Sequence, residues 1–115
     1  MANLNRIMII GNAGKDAEMR YTASGQAQAS FSVAVNHNRR NQAGEWESET
    51  EWFNVTLFGD SAERLAPLIT KGKSVYCEGR LQTRSWTSDD GQKHYRTEVI
   101  AHGVQLLGAR GQEEQ

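Results

Sequence analysis

Apolar and polar residues alternate with period two through most of this chain. In QAQASFSVAV, Ala27, Ala29, Phe31, Val33 and Val35 share one parity, and Gln28, Ser30 and Ser32 share the other. That is the pattern of a strand with one face in a core and one in solvent. NVTLF repeats it, with Phe53, Val55 and Leu57 inward. SVYCEGRLQTRSW sets Val75, Cys77 and Leu81 inward, with Gly79 marking a bend or a close approach. HYRTEVIAHGVQLL places Tyr95, Thr97, Val99 and Ala101 together, and IMII opens the chain as a short apolar strand. The turn signals GNAG, ASGQ, NRRNQAG and SDDGQ separate these runs.

One stretch has helical spacing instead. In DSAERLAPLITKG, Ala62, Leu65, Leu68 and Ile69 form an apolar stripe, Asp60 or Ser61 is placed to cap its start, and Gly72 to end it. Pro67 lies inside the pattern, so the helix should be short and interrupted there. The order is three strands, a helix, two strands. A small antiparallel sheet of this kind must close or pair its edges. The expected fold is all-β: a five-stranded Greek-key OB-fold barrel with one short helix between strands three and four. A β-sandwich would need about seven strands. The barrel should occupy residues 1–108, and residues 109–115 should begin a flexible tail.

At 115 residues the chain has room for one modest core. No apolar run approaches the roughly 18–20 residues of a membrane span, so no membrane partner is expected. The single Cys77 excludes an internal disulfide and fits a reducing cytoplasm, with association to the nucleoid if the partner is DNA. Three His and one Cys, scattered at 37, 94, 102 and 77, have no metal-ligand spacing, so neither a metal nor another cofactor is expected. No Ser-His-Asp or Cys-His arrangement suggests an enzyme. The net charge of −1 first argues against nucleic acid, but its distribution does not. Glu45, Glu47, Glu49 and Glu51 crowd into one segment and Glu113 and Glu114 into another, leaving 13 basic against 14 − 4 − 2 = 8 acidic residues elsewhere.

The segment IMIIGNAGKD raises one alternative, a phosphate loop of a nucleotide-using enzyme. Such a loop requires G-x-x-x-x-G-K-[ST]. Here Ile9 stands at the first glycine and Asp16 at the hydroxyl position, so the match fails twice.

The informative residues face away from the core. On strand three the outward parity carries Trp46, Trp52, Asn54, Thr56 and Phe58. On strand four it carries Tyr76, Glu78, Arg80, Gln82, Arg84 and Trp86. One outward aromatic is ordinarily a packing or subunit contact. Several on neighbouring strands, interleaved with arginine, suit an unpaired nucleic-acid strand. Bases stack on aromatic rings whatever their identity, and arginines follow the phosphates. Arg6 before strand one, Arg20 after the glycine loop, and Lys71 and Lys73 beside the helix end extend the same basic set.

The stretches GNAGKDAEMRYTASGQAQASFSVAV, TEWFNVTLFG and KGKSVYCEGRLQTRSWTSDDGQKHYRTEV strongly resemble the bacterial single-stranded DNA-binding protein family over residues 4 to about 108. E-W-x-x-V-x-L-F-G together with V-x-x-E-G-x-L-x-T-R-x-W is a specific combination. The resemblance implies an OB-fold, a homotetramer, and binding of single-stranded DNA without sequence preference in replication, recombination and repair. It implies stacking by Trp52, Phe58 and Trp86 and basic contacts from Arg6, Arg20, Lys71 and Arg84. GNAGKD then becomes the loop joining strands one and two, its glycines serving a tight turn and Lys15 at most touching a phosphate. The chain departs from the family pattern at Asn38, where an aromatic is expected, with Trp46 or Arg39 as partial replacements. It departs again at Glu47, in place of a lysine, and at GARGQEEQ, which lacks an acidic, Phe-terminated tip. Recruitment of replication and repair enzymes is therefore expected only with a longer tail. Two other readings remain at this level: a primosomal or RNA-binding OB module, and a structural oligomerisation domain.

Overall fold

A computed structural model describes residues 2–108; the expected tail, 109–115, lies outside the described residues. Six strands form in the order β1 (Ile7–Ala13), β2 (Glu18–Tyr21), β3 (Ala27–Arg40), β4 (Trp46–Phe58), β5 (Ser74–Thr87) and β6 (Lys93–Leu106). Helix α1 (Asp60–Leu65) and a 3-10 turn (Ala66–Leu68) separate β4 from β5.

Five of these strands close into a barrel in the order β1-β5-β6-β4-β3, and β3 returns to β1 through Asn12 opposite Ala34 and Ala13 opposite Val33. The expected closed OB-type barrel is therefore present. Its seam between β4 and β6 is parallel, pairing Val55 with Val99 and Thr56 with Ile100, so the sheet is not wholly antiparallel. The sixth strand, β2, pairs only with β3. All four of its residues are exposed, so it carries no alternation from which to be predicted.

The barrel core is filled by the inward parities already identified: Ala27, Ala29, Phe31 and Val33 from β3, Val55 and Leu57 from β4, Val75 and Cys77 from β5, and Val99 and Ala101 from β6. Burial pushes the Cys77 thiol up to about 12, so it behaves as a small apolar filler. Leu81 has the inward parity but lies past the barrel end, where it is 39% exposed.

The helix adds Ala62, Ala66 and Ile69 to the same core. Leu68, expected in the apolar stripe, is exposed, because the 3-10 turn at Pro67 rotates it outward. Neither Asp60 nor Ser61 caps the helix. The N-cap is Gly59, whose carbonyl receives the Glu63 N–H at 3.2 Å, and no side chain caps the start. Among the described residues no helix is long and apolar enough to cross a membrane.

Three glycines are fixed by space. A Cβ on Gly11 would stand 2.2 Å from the Ala34 carbonyl oxygen, where β1 turns from β5 to β3. Gly11 thus lies inside β1 and permits barrel closure, not the tight turn expected of it. A Cβ on Gly79 would stand 2.1 Å from the Ile100 carbonyl oxygen, beside the β-bulge in the β5–β6 ladder. The third, Gly14, belongs to the outward face described next.

Candidate nucleic-acid interface

Register places the outward parities of four strands on one surface. Across β3 and β4, Ser30 faces Thr56, Ser32 faces Asn54 and Gln28 faces Phe58. Across β5 and β6, Gln82 faces Glu98, Arg84 faces Arg96 and Trp86 faces His94. Among the described residues, a cleft of about 260 Å³ on this surface includes Trp52, Asn54 and Glu98 in its lining, and three more run beside it. The first, of about 370 Å³, includes Lys15, Ser30, Ser32, Asn54, Thr56 and Arg96 in its lining. The second, of about 380 Å³, is lined by Arg84, Ser85, Trp86 and Arg96. A smaller third, of about 90 Å³, touches Phe58, Arg84 and Glu98. Arg96 is common to the first two and Arg84 to the last two, so the clefts form one groove with a polar floor, cationic sides and aromatic posts.

The posts are held differently. Trp52 is 61% exposed, and its ring lies over Gly14. A Cβ at that glycine would stand 2.5 Å from Trp52 Cζ3 and 2.9 Å from Ser32 Oγ. The GNAG loop therefore seats the tryptophan. It is fixed in turn by Gly14 N–H donating to the Ser32 carbonyl at 2.9 Å. Trp86 is 49% exposed and stacks on His94, with ring centroids 5.4 Å apart and planes 18° from parallel. One Trp86 face is thus occupied within the protein. Phe58 is half-buried, as its end-of-strand position allows.

The basic residues divide between locations. Lys15 lines the first cleft and pairs loosely with Glu18 at 3.6 Å. Arg20, on β2, stands opposite Gln28, which lines the third cleft. Lys71 and Lys73 lie against the β1–β2 loop: the Lys71 N–H donates to Asp16 Oδ1 at 2.9 Å, and the Lys73 carbonyl accepts from Ala13. Arg80 donates to Gln82 Oε1 at 3.0 Å along the outward row of β5.

Arg6 and Tyr76 sit elsewhere. Tyr76 is ten residues from Trp86, roughly 33 Å along the strand. The Arg6 guanidinium is ion-paired to Glu78, and the Tyr76 hydroxyl donates to the same carboxylate at 2.8 Å. His102 Nε2 approaches it at 3.5 Å. The Arg6 hydrogen bonds, seconded by Tyr76, hold the Glu78 carboxyl down at about 2.

The β3–β4 hairpin extends well past the barrel, and its two faces differ. One face carries Trp52, Trp46 and Arg40. The Arg40 guanidinium lies over the Trp46 ring at 5.2 Å and donates to the Gly44 carbonyl. The other carries Glu47 and Glu49, paired with Arg39 at 4.0 and 3.1 Å, and His37 at 3.4 Å from Glu49. Arg39 therefore lies opposite Trp46 and Trp52, already matched to carboxylates. Alternation also turns the glutamate run away from the groove, which is how a chain of net charge −1 presents a basic surface.

Ser30, Ser32 and Asn54 were read as outward but given no role as a floor, and Arg96, Arg40 and Glu98 were absent from the sequence expectation. The outward parity of the last strand, His94, Arg96 and Glu98, carries the signal that would have found two of them. Among the described residues, no group of three or more His, Cys, Asp or Glu side chains is placed to hold a metal.

Comparison with known proteins identifies the family. Residues 4–107 match the single-strand binding protein family. The chain is 45% identical over 112 residues to single-stranded DNA-binding protein 3 of Streptococcus agalactiae, covering 97% of this chain and 80% of that protein. It is 41% identical over 108 residues to single-stranded DNA-binding protein 1 of Chlorobaculum tepidum, covering 93% and 67%. Among solved structures, the Plasmodium falciparum SSB in complex with single-stranded DNA superposes with a TM-score of 0.85 at 30% identity, covering 94% of this chain and 98% of that one. A deletion mutant of the Thermus aquaticus single-stranded DNA-binding protein superposes with a TM-score of 0.83 at 30% identity, covering 94% and 52%. With the fold and these matches in agreement, the chain belongs to the single-strand binding protein family.

Proposed function

We infer that this protein binds single-stranded DNA without sequence preference and without catalysis, and acts on strands exposed in replication, recombination and repair. The observation that carries this reading is the shared outward surface of β3, β4, β5 and β6, where Trp52, Phe58 and Trp86 stand among Lys15, Arg84 and Arg96 over a neutral polar floor. Unpaired bases lie flat on the rings, and the cations take the phosphates. Arg20, Lys71, Lys73 and Arg80 border this path. Trp46, with Arg40 over it, extends it along the hairpin. A duplex hides the base faces this surface needs, so binding favours open strands and protects them. Arg6 and Tyr76 instead fix Glu78, and in this reading they serve β1 and β5 rather than the strand.

The working form is a homotetramer in the cytoplasm, bound to the nucleoid. Phe53 packs partly buried against the core and offers little to a partner subunit. A better surface is β1, where Met8 and Ile10 are exposed. From Ile7 to Gly11 this strand is paired on one side only, to β5. An apolar, half-open strand of this kind is ordinarily covered.

The test is a titration of tryptophan fluorescence with oligo-dT at several salt concentrations. Deep quenching is expected, with affinity falling by roughly 0.7 log units per log unit of salt for each phosphate contacted. Unquenched fluorescence would favour an oligomerisation domain and contradict this reading.

A further inference from the structure

We propose that Glu98 is a positioning residue for strand binding: it grips Arg84 through one nitrogen so that the remaining guanidinium nitrogens meet a backbone phosphate between Phe58 and Trp86. The proposal rests on the strand-binding reading above.

An acid in the middle of a phosphate-binding surface needs a reason. The Glu98 side chain is only 4% exposed. Its Oε1 accepts from Thr56 Oγ1 at 2.8 Å and its Oε2 from Arg84 Nε at 2.6 Å, so each oxygen has a donor. Among the described residues, Glu98 is the one side-chain partner of Arg84. The guanidinium is a rigid fork with five N–H donors. Tethered at Nε, it keeps both terminal nitrogens for another acceptor. The residue lines the small cleft beside Phe58 and the larger one beside Trp86, which places those nitrogens in the groove between the two rings. Arg96 stands directly opposite Arg84, and two facing cations repel. Glu98 offsets that repulsion and holds Arg84 toward the β4 side through Thr56.

A simple charge argument and this proposal predict opposite signs. If Glu98 only repelled phosphates, removing it would tighten binding. If it positions Arg84, removing it weakens binding and costs a phosphate contact. The experiment measures oligo-dT affinity against salt for the full chain, with urea unfolding of each variant. Glu98→Ala should weaken binding by roughly 10-fold or more, the scale of one charge-assisted hydrogen bond. It should also flatten the salt slope by roughly 0.7. Adding Glu98→Ala to Arg84→Ala should change neither quantity further. Glu98→Gln should restore the slope, since its amide oxygen accepts from Arg84 and its amide N–H donates to Thr56.

Arg84→Lys keeps the charge but cannot hold the carboxylate through one nitrogen and a phosphate through others. It should lose as much slope as Arg84→Ala, and this arm remains decisive if Glu98→Ala fails to fold. Tighter binding by Glu98→Ala, an unchanged slope in a folded Glu98→Ala, or a wild-type slope in Arg84→Lys would overturn the proposal. Absence of quenching in the unsubstituted protein would instead overturn the strand-binding reading on which it rests.

Discussion

Gly14 shows how much of a stacking site depends on a residue with no side chain. Its backbone does not require a glycine, yet the Trp52 ring fills the space a Cβ would occupy. Gly14→Ala should therefore leave the fold nearly as stable, because the exposed ring can swing away. It should weaken oligo-dT binding, by up to the roughly 1–3 kcal/mol of one stacked base. Urea midpoint and affinity, measured on the same preparation, check this; a large loss of stability with normal affinity would contradict it. Residue-scale legibility was uneven for physical reasons. Parity alone turned Trp52 and Trp86 outward, because alternation is local. The contact between Gly14 and Trp52 joins positions 38 apart in sequence, so no local pattern could reveal it. Glu98 reads as outward and solvated, but Thr56 and Arg84 bury it.

Among the elements, β1, β5 and β6 are tied on their outer side by Glu78, with Arg6 before β1, Tyr76 on the same strand and His102 at the β6 bulge. The carboxyl is held down at about 2 from an ordinary value of 4.5, first by the Arg6 hydrogen bonds. The folded protein thus favours the ionised form more than the unfolded chain does. Stability from this group is present above about pH 4.5 and is lost as pH falls toward 2. Thermal unfolding across that window should show an acid-labile component that Glu78→Gln reduces; identical acid profiles for the two proteins would refute the clamp. The strands that line the core were readable because one face of each is dry. The β2 strand was not, since both of its faces are wet, and the helix cap was misplaced because the N-cap position falls on Gly59, which has no side-chain oxygen to offer.

For the whole molecule, the barrel leaves two outer surfaces with different chemistry. One is the groove; the other is the apolar stripe of Met8 and Ile10 on the half-open β1. If that stripe is a subunit contact, light scattering at micromolar protein should give a tetrameric mass, and Met8→Glu with Ile10→Glu should reduce it. A monomeric mass for the unsubstituted chain would end that assignment. The central claim, that bases stack on outward tryptophans, is tested most directly by oligo-dT affinity and urea unfolding measured together for Trp52→Ala and Trp86→Ala. Each should lose about 1–3 kcal/mol of binding, or roughly 5- to 150-fold. Each should lose well under the roughly 3–5 kcal/mol of stability that truncating a buried tryptophan costs. Variants that unfold readily yet bind normally per folded molecule would contradict the account.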